Sequence, residues 1–278
     1  MADGRWQKKN GERKSAFSIL TSAVCRLTSA VCRFFPTLNP MLRNTNCRLL
    51  FCFLVCCQFA LGSRAQNATQ PDPYSRPALV IVDMQNDFVR QGAPMEVPDA
   101  RNTIEQNKQL LELCRKAGIP VIFTRFIATD DPSLLWNWSP KIAPPLYACK
   151  RGYQRSYPDI NKKLECIAVI DELAPLPSEI IIDKNGYGAF HHTSLDSVLK
   201  KLGVESILLT GTVTQICVEE TGREAFHHGY KTTMITDAVS SFAPDLHTAT
   251  IRNFAMKFGW TKTTAEVVQK LKEIYAIR

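Results

Sequence analysis

Cys217 stands where an apolar run, Ile207-Leu208-Leu209, stops at Thr210-Gly211, turns through Thr212 to Ile216 and enters a helical stretch. A helix start presents unpaired N–H groups and the positive end of the macrodipole, which favour a thiolate and also an oxyanion formed beside it. One turn can therefore supply both a nucleophile and the cradle for the charge it generates. Two residues at the ends of other strand-like runs carry complementary chemistry: Asp83, closing ALVIVD, and Lys184, just after EIIID. A carboxylate near a thiol can take its proton and return it to a leaving group, and an ammonium favours the anionic form of its neighbours. Taken singly, each has a plainer reading: Cys217 as a small core residue, Asp83 as a cap on a loop, Lys184 as a turn lysine beside Asn185-Gly186.

The elements that must hold these residues alternate between strand and helix patterns. ALVIVDM (78–84), IPVIFTRFI (119–127), EIIID (179–183), ESILLTG (205–211) and KTTMITDA (231–238) are apolar runs of strand length. Between and after them, 102–118, 193–203, about 245–258 and 264–276 have helical spacing, the last two flanking a short segment near Trp260. The first closes on Gly118; the second opens with Thr193 as a candidate N-cap and Asp196 at the capping-box position. After Cys217, the small residues Val218, Gly222, Ala225 and Gly229 form a narrow stripe that lets a helix lie close to a sheet, with Glu219, Glu220, Arg223 and Glu224 read as a solvated face. Strands buried on both sides and separated by helices define one α/β domain over 78–278, a three-layer αβα arrangement with a mostly parallel sheet of about six strands. In such sheets ligands bind beyond the carboxyl ends of the strands, where Asp83, Lys184 and Cys217 all fall.

The chain of 278 residues carries its charge unevenly. Residues 1–65 hold ten basic and two acidic residues, whereas 66–278 hold 24 of each, so the basic balance gives no support for nucleic-acid binding by the folded part. LLFCFLVCCQFAL (49–61) is too short to span a membrane comfortably and has the length of a signal-peptide core, with Ser63-Arg64-Ala65 after it. Residues 1–65 are therefore expected to be a targeting or non-native segment absent from the mature protein. A secretory route from 41–65 is the first expectation, an organellar transit peptide the alternative, and 66–77 is a proline-rich linker. The mature domain keeps Cys114, Cys149, Cys166 and Cys217, with no C-x-x-C pair, which implies neither a disulfide scaffold nor a zinc site.

ALVIVDMQNDFV, IIDKNGYGAFHHTSLDSVLKKLGV and LLTGTVTQICVEETGREAFHHGYKTTMITDA together resemble the isochorismatase-like cysteine hydrolases, in order, over about 76–270. The resemblance is to the amidohydrolase branch, near biuret hydrolases, ureidoacrylate amidohydrolases and carbamoylsarcosine amidases. It implies Asp83 as acid/base, Lys184 as the charge partner and Cys217 as the nucleophile that forms a thioester. It also implies a cis peptide between Thr212 and Val213, an oxyanion hole from the Val213 and Cys217 N–H groups, and Phe88 and Tyr187 lining the substrate pocket. The implied reaction is C–N hydrolysis of a small amide, ureide or carbamoyl compound. In isochorismatases proper the cysteine position is small and inert, so Cys217 argues against vinyl-ether hydrolysis; a catalytically silent binding or assembly member is the remaining alternative.

Metal-dependent nicotinamidases carry an Asp-x-His and a further histidine after the second strand, but 123–159 contains no histidine, and all five lie at 191 or later. No metal and no cofactor are expected. The same stretch is long for a connection and holds Trp136, Trp138, Tyr147, Tyr153 and Tyr157, aromatics suited to covering the pocket, Trp136 among its candidate lining, or to a contact between copies in a homo-oligomer. With few cations near the site besides Lys184, a small neutral substrate fits better than a polyanion.

Overall fold

The computed structural model describes residues 72–129 and 140–277. The expected targeting segment, the first half of the linker, and Trp136 and Trp138 lie outside them. Six strands, β1 (Pro77–Val82), β2 (Val121–Phe126), β5 (Ile180–Lys184), β6 (Ser206–Thr212), β7 (Lys231–Ser240) and β8 (Trp260–Lys262), form one sheet in the order β5-β2-β1-β6-β7-β8. Every neighbouring pair is parallel. The segment near Trp260 is thus the sixth strand. β3 (Gln154–Tyr157) and β4 (Lys162–Glu165) pair antiparallel in a small second sheet within what reads in sequence as connection. Their alternation of exposed, charged residues carries no apolar signature, which is why periodicity passes over them.

β1 is buried at all six positions because both its faces are covered. Leu79 and Ile81 meet α1 (Ile104–Ala117), while Ala78, Val80 and Val82 look toward α2 (Leu195–Lys201), α3 (Glu219–His227) and α4 (Pro244–Lys257). α5 (Thr264–Tyr275) joins α1 through Val267, Val268 and Leu271 and starts with a capping box between Thr263 and Glu266. α1 ends on Gly118 in the left-handed conformation, φ 69°, as its sequence predicts. At α2 the N-cap is Ser194, not Thr193, and no capping box forms. Asp196 instead accepts from Tyr230 Oη at 3.0 Å and Lys200 Nζ at 2.6 Å.

The chain steps from β1 to β2 to β5 on one side, then returns to place β6 against the free edge of β1. The crevice between β1 and β6 is the switch point of such a sheet, and strand ends diverge there. At that seam a Cβ on Gly211 would stand 2.0 Å from the Val82 carbonyl oxygen, and φ is 106°. The Thr-Gly that terminates the apolar run is therefore required by backbone-to-backbone approach. Among the described residues no helix is long and apolar enough to cross a membrane.

Candidate active site

Asp83 follows β1 directly, with φ 50° and no exposed surface. Its left-handed backbone, tolerated by aspartate more readily than by most residues, turns the chain out of the sheet. Thr124 of β2 holds it: Thr124 Oγ1 donates to Asp83 Oδ1 at 2.6 Å, and the Asp83 N–H points back at Thr124 Oγ1 at 3.2 Å. Gln85 clamps the end of β2, donating to the Phe126 carbonyl at 3.0 Å and accepting from the Phe126 N–H at 2.6 Å.

Lys184 closes β5, two strands from β1, or about 9–10 Å across the sheet. Only a long side chain covers that gap. Lys184 Nζ passes 5.6 Å from the centre of the Phe126 ring and ends 2.7 Å from Asp83 Oδ2, with both side chains wholly buried. Burial disfavours the ammonium, but the Asp83 carboxylate and Cys217 outweigh it and hold the Lys184 pKa above its usual value.

Cys217 lies in a wide, π-helical turn, Thr214–Val218, that precedes α3. The Thr212–Val213 peptide before it is cis. Thr214 Oγ1 donates to the Ser240 carbonyl at 3.0 Å and meets His247 Nδ1 at 2.9 Å, pinning the turn to the end of β7 and the first turn of α4. Cys217 is buried within the electrostatic reach of both Asp83 and Lys184. Burial pushes its thiol up to about 12, Lys184 pulls it down and Asp83 raises it again. The resting group is therefore a thiol: desolvation defeats the thiolate preference that helix start and lysine alone would give.

A cavity of about 410 Å³ opens beside Cys217. Phe88 and Tyr187, both named from sequence, line it with Phe126, Val213, Ile216 and Phe242. Met95, Val97, Glu96 and Lys141 complete the wall, so Lys184 is not the sole nearby cation. Glu96 is already paired with Arg101 at 2.7 Å. Thr124, Gln85 and Lys141 escape sequence reading; the only signals are a lone Thr in an apolar strand and a Gln between two acids. Two members of the expected solvated face of α3 also turn inward. Glu224 accepts from Phe190 N at 2.8 Å, and Glu219 from Thr250 Oγ1 at 3.0 Å. Of the small stripe, Gly222 packs against Phe254 and Leu209, whereas Gly229 is a turn residue with φ 86°. Tyr157 is not a pocket aromatic: it is buried, donating to Asp87 Oδ1 at 2.7 Å.

A parallel sheet with an acid, a lysine and a cysteine meeting at its switch point defines a hydrolase architecture, and the chain matches the Isochorismatase domain over residues 77–266. It belongs to the isochorismatase-like hydrolase family, in the amidohydrolase branch. Over 210 residues it is 31% identical to the ureidoacrylate amidohydrolase of Agrobacterium fabrum, covering 70% of this chain and 91% of that one. It is 32% identical over 202 residues to nicotinamidase 3 of Arabidopsis thaliana, covering 72% and 91%. The crystal structure of a cysteine hydrolase from Pseudomonas syringae pv. phaseolicola 1448A superposes with a TM-score of 0.65 at 28% identity, covering 74% of this chain and 99% of that one.

Proposed function

We propose that the protein is a metal-independent cysteine hydrolase that cleaves the C–N bond of a small amide, ureide or carbamoyl compound through a thioester on Cys217. The observation that carries this reading is the buried 2.7 Å pair of Asp83 and Lys184, with Cys217 under the charge of both and facing a largely apolar cavity. As sulfur attacks the substrate carbonyl, Asp83 takes the thiol proton, so no free thiolate need persist in the buried site. The oxyanion is received by the Val213 and Cys217 N–H groups. Asp83 then passes its proton to the nitrogen as the C–N bond breaks. A water loses a proton to Asp83, attacks the thioester, and the sulfur recovers that proton as the acid departs. Lys184 offsets the charge on Asp83 throughout. Metal independence is supported by the histidine-free stretch 123–159 and by the described residues, which place no three His, Cys, Asp or Glu to hold an ion.

The test is mass spectrometry of Cys217 during turnover of an activated ester, in buffer containing a chelator. An activated leaving group needs little protonation, so Asp83→Asn should still acylate while its deacylation slows by about 10²–10⁴. An acyl mass increment on the peptide containing GTVTQICVEETGR should then accumulate. Turnover without any adduct at Cys217, in wild type and in Asp83→Asn, defeats the thioester; loss of wild-type turnover with the chelator defeats metal independence.

A further inference from the structure

Two threonine hydroxyls, one on each side of Val213, converge on a single carbonyl at the end of β7. Thr212 Oγ1 donates to the Ser240 carbonyl at 3.3 Å and Thr214 Oγ1 to the same oxygen at 3.0 Å, and all three residues are buried. Together they use both lone pairs of that oxygen. Thr214 has a further partner, His247 Nδ1 at 2.9 Å, which reaches it from the first turn of α4. A hydroxyl carries one proton, and a carbonyl can only accept. If Thr214 gave its proton to the ring, its oxygen would face the Ser240 carbonyl with no hydrogen between two buried acceptors. The bonding closes without a deficit only when the ring carries its proton on Nδ1, so that His247 donates to Thr214 and Thr214 donates to Ser240. Burial lowers the His247 pKa against a smaller opposing pull from Asp99, so the ring is neutral at about pH 8 and holds one proton to place.

We propose that His247 is a positioning residue for the nucleophile: as an Nδ1–H donor it locks the Thr214 hydroxyl onto Ser240 and so fixes the turn from Val213 to Cys217. The proposal rests on the thioester reading, in which the N–H groups of that turn receive the oxyanion. Neither His247 nor Thr214 is among the residues lining the cavity, so their effect reaches a substrate only through the turn. The Val213 carbonyl accepts from Ile216 N at 3.0 Å and Val218 N at 3.1 Å, so a shift at Thr214 passes to the residues on both sides of Cys217.

The test uses the full chain at about pH 8 and p-nitrophenyl acetate, following p-nitrophenolate release and the acetyl increment on Cys217. His247→Leu removes the donor, and His247→Asp replaces it with an acceptor that competes with Ser240 for the Thr214 proton. Both should slow acylation about 10- to 100-fold and leave KM within about two-fold, since the turn moves and the pocket wall does not. His247→Asn, whose amide N–H can stand near the Nδ1 position, should acylate within about three-fold of wild type. Thr214→Ser should acylate like wild type and Thr214→Val like His247→Leu. Long-range 1H–15N spectra of the wild type, with the His247 signals assigned by their loss in His247→Asn, should show Nδ1 protonated and Nε2 bare. A wild type that turns the ester over without ever carrying acetyl on Cys217 defeats the thioester and the role of His247 together. Given acylation of the wild type, His247→Leu and His247→Asp that acylate as fast, or His247→Asn as slow as His247→Leu, overturn the role of His247 alone. So does a wild-type ring protonated on Nε2, which is read without any variant having to fold.

Discussion

Asp83 and Lys184 are each intolerable without the other. Both side chains are fully buried, and their 2.7 Å contact is the largest offset to the cost of holding two charges there. Lys184→Met therefore removes more than a charge: it leaves a carboxylate in the core. The expected cost is about 3–5 kcal/mol in urea unfolding, and adding Asp83→Asn should recover part of it, so that the double variant is more stable than Lys184→Met alone. Lys184→Met should also slow alkylation of Cys217 at alkaline pH, because the ammonium that favours its thiolate is gone. Strict additivity of the two stability changes would show that the carboxylate and the ammonium do not depend on each other.

At the scale of elements, the loop after β5 is fastened to the helix after Cys217. Glu224 of α3 accepts from Phe190 N at 2.8 Å, Thr221 of the same helix from Ala189 N at 3.2 Å, and the loop between carries Tyr187 into the cavity wall. A Cβ on Gly188 would lie 2.2 Å from the Glu224 carboxylate. Since that carboxylate ends a flexible side chain, Gly188→Ala should displace it and release the loop, costing about 1–3 kcal/mol. Glu224→Ala should loosen the same loop from the other side. Both should raise KM more than they lower kcat, since Tyr187 bounds the pocket without joining Asp83, Lys184 and Cys217. Combining them should add little to either alone. Steady-state kinetics of the two variants and their combination checks this; full additivity would mean that Gly188 and Glu224 act separately.

Over the whole molecule, the described cysteines are all free and buried. Burial pushes Cys114, Cys166 and Cys217 up to about 12 and Cys149 well above its ordinary 9.0. For an acid whose folded pKa is raised, the unfolded chain loses its proton first. The unfolded state then binds fewer protons, and stability falls as pH rises through the unfolded value toward the folded one. Each such thiol contributes about 1.4 kcal/mol per pH unit over that window. Under reducing conditions, urea unfolding should show stability dropping steeply from pH 9 upward, and Cys114→Ala, which removes one thiol remote from the site, should make the slope shallower by about that amount. An identical slope in that variant would contradict the assignment.

The alternating apolar runs of this chain determine its sheet, its covering helices and the strand ends at which Asp83, Lys184 and Cys217 stand, because burial on both faces leaves a local, periodic record in sequence. The three blocks that resemble the hydrolase family point to the ends on which the proposed chemistry rests. Only the tertiary structure decides the protonation of Cys217, since desolvation is set by residues far apart in the chain and here outweighs the nearby ammonium. Only it places Thr124 against Asp83, draws Glu219 and Glu224 out of an apparently solvated face, and sets Lys141 and Phe242 in the cavity wall. These are single polar or aromatic residues whose partners lie on other elements, so no periodicity marks them and only the meeting of those elements gives them a role.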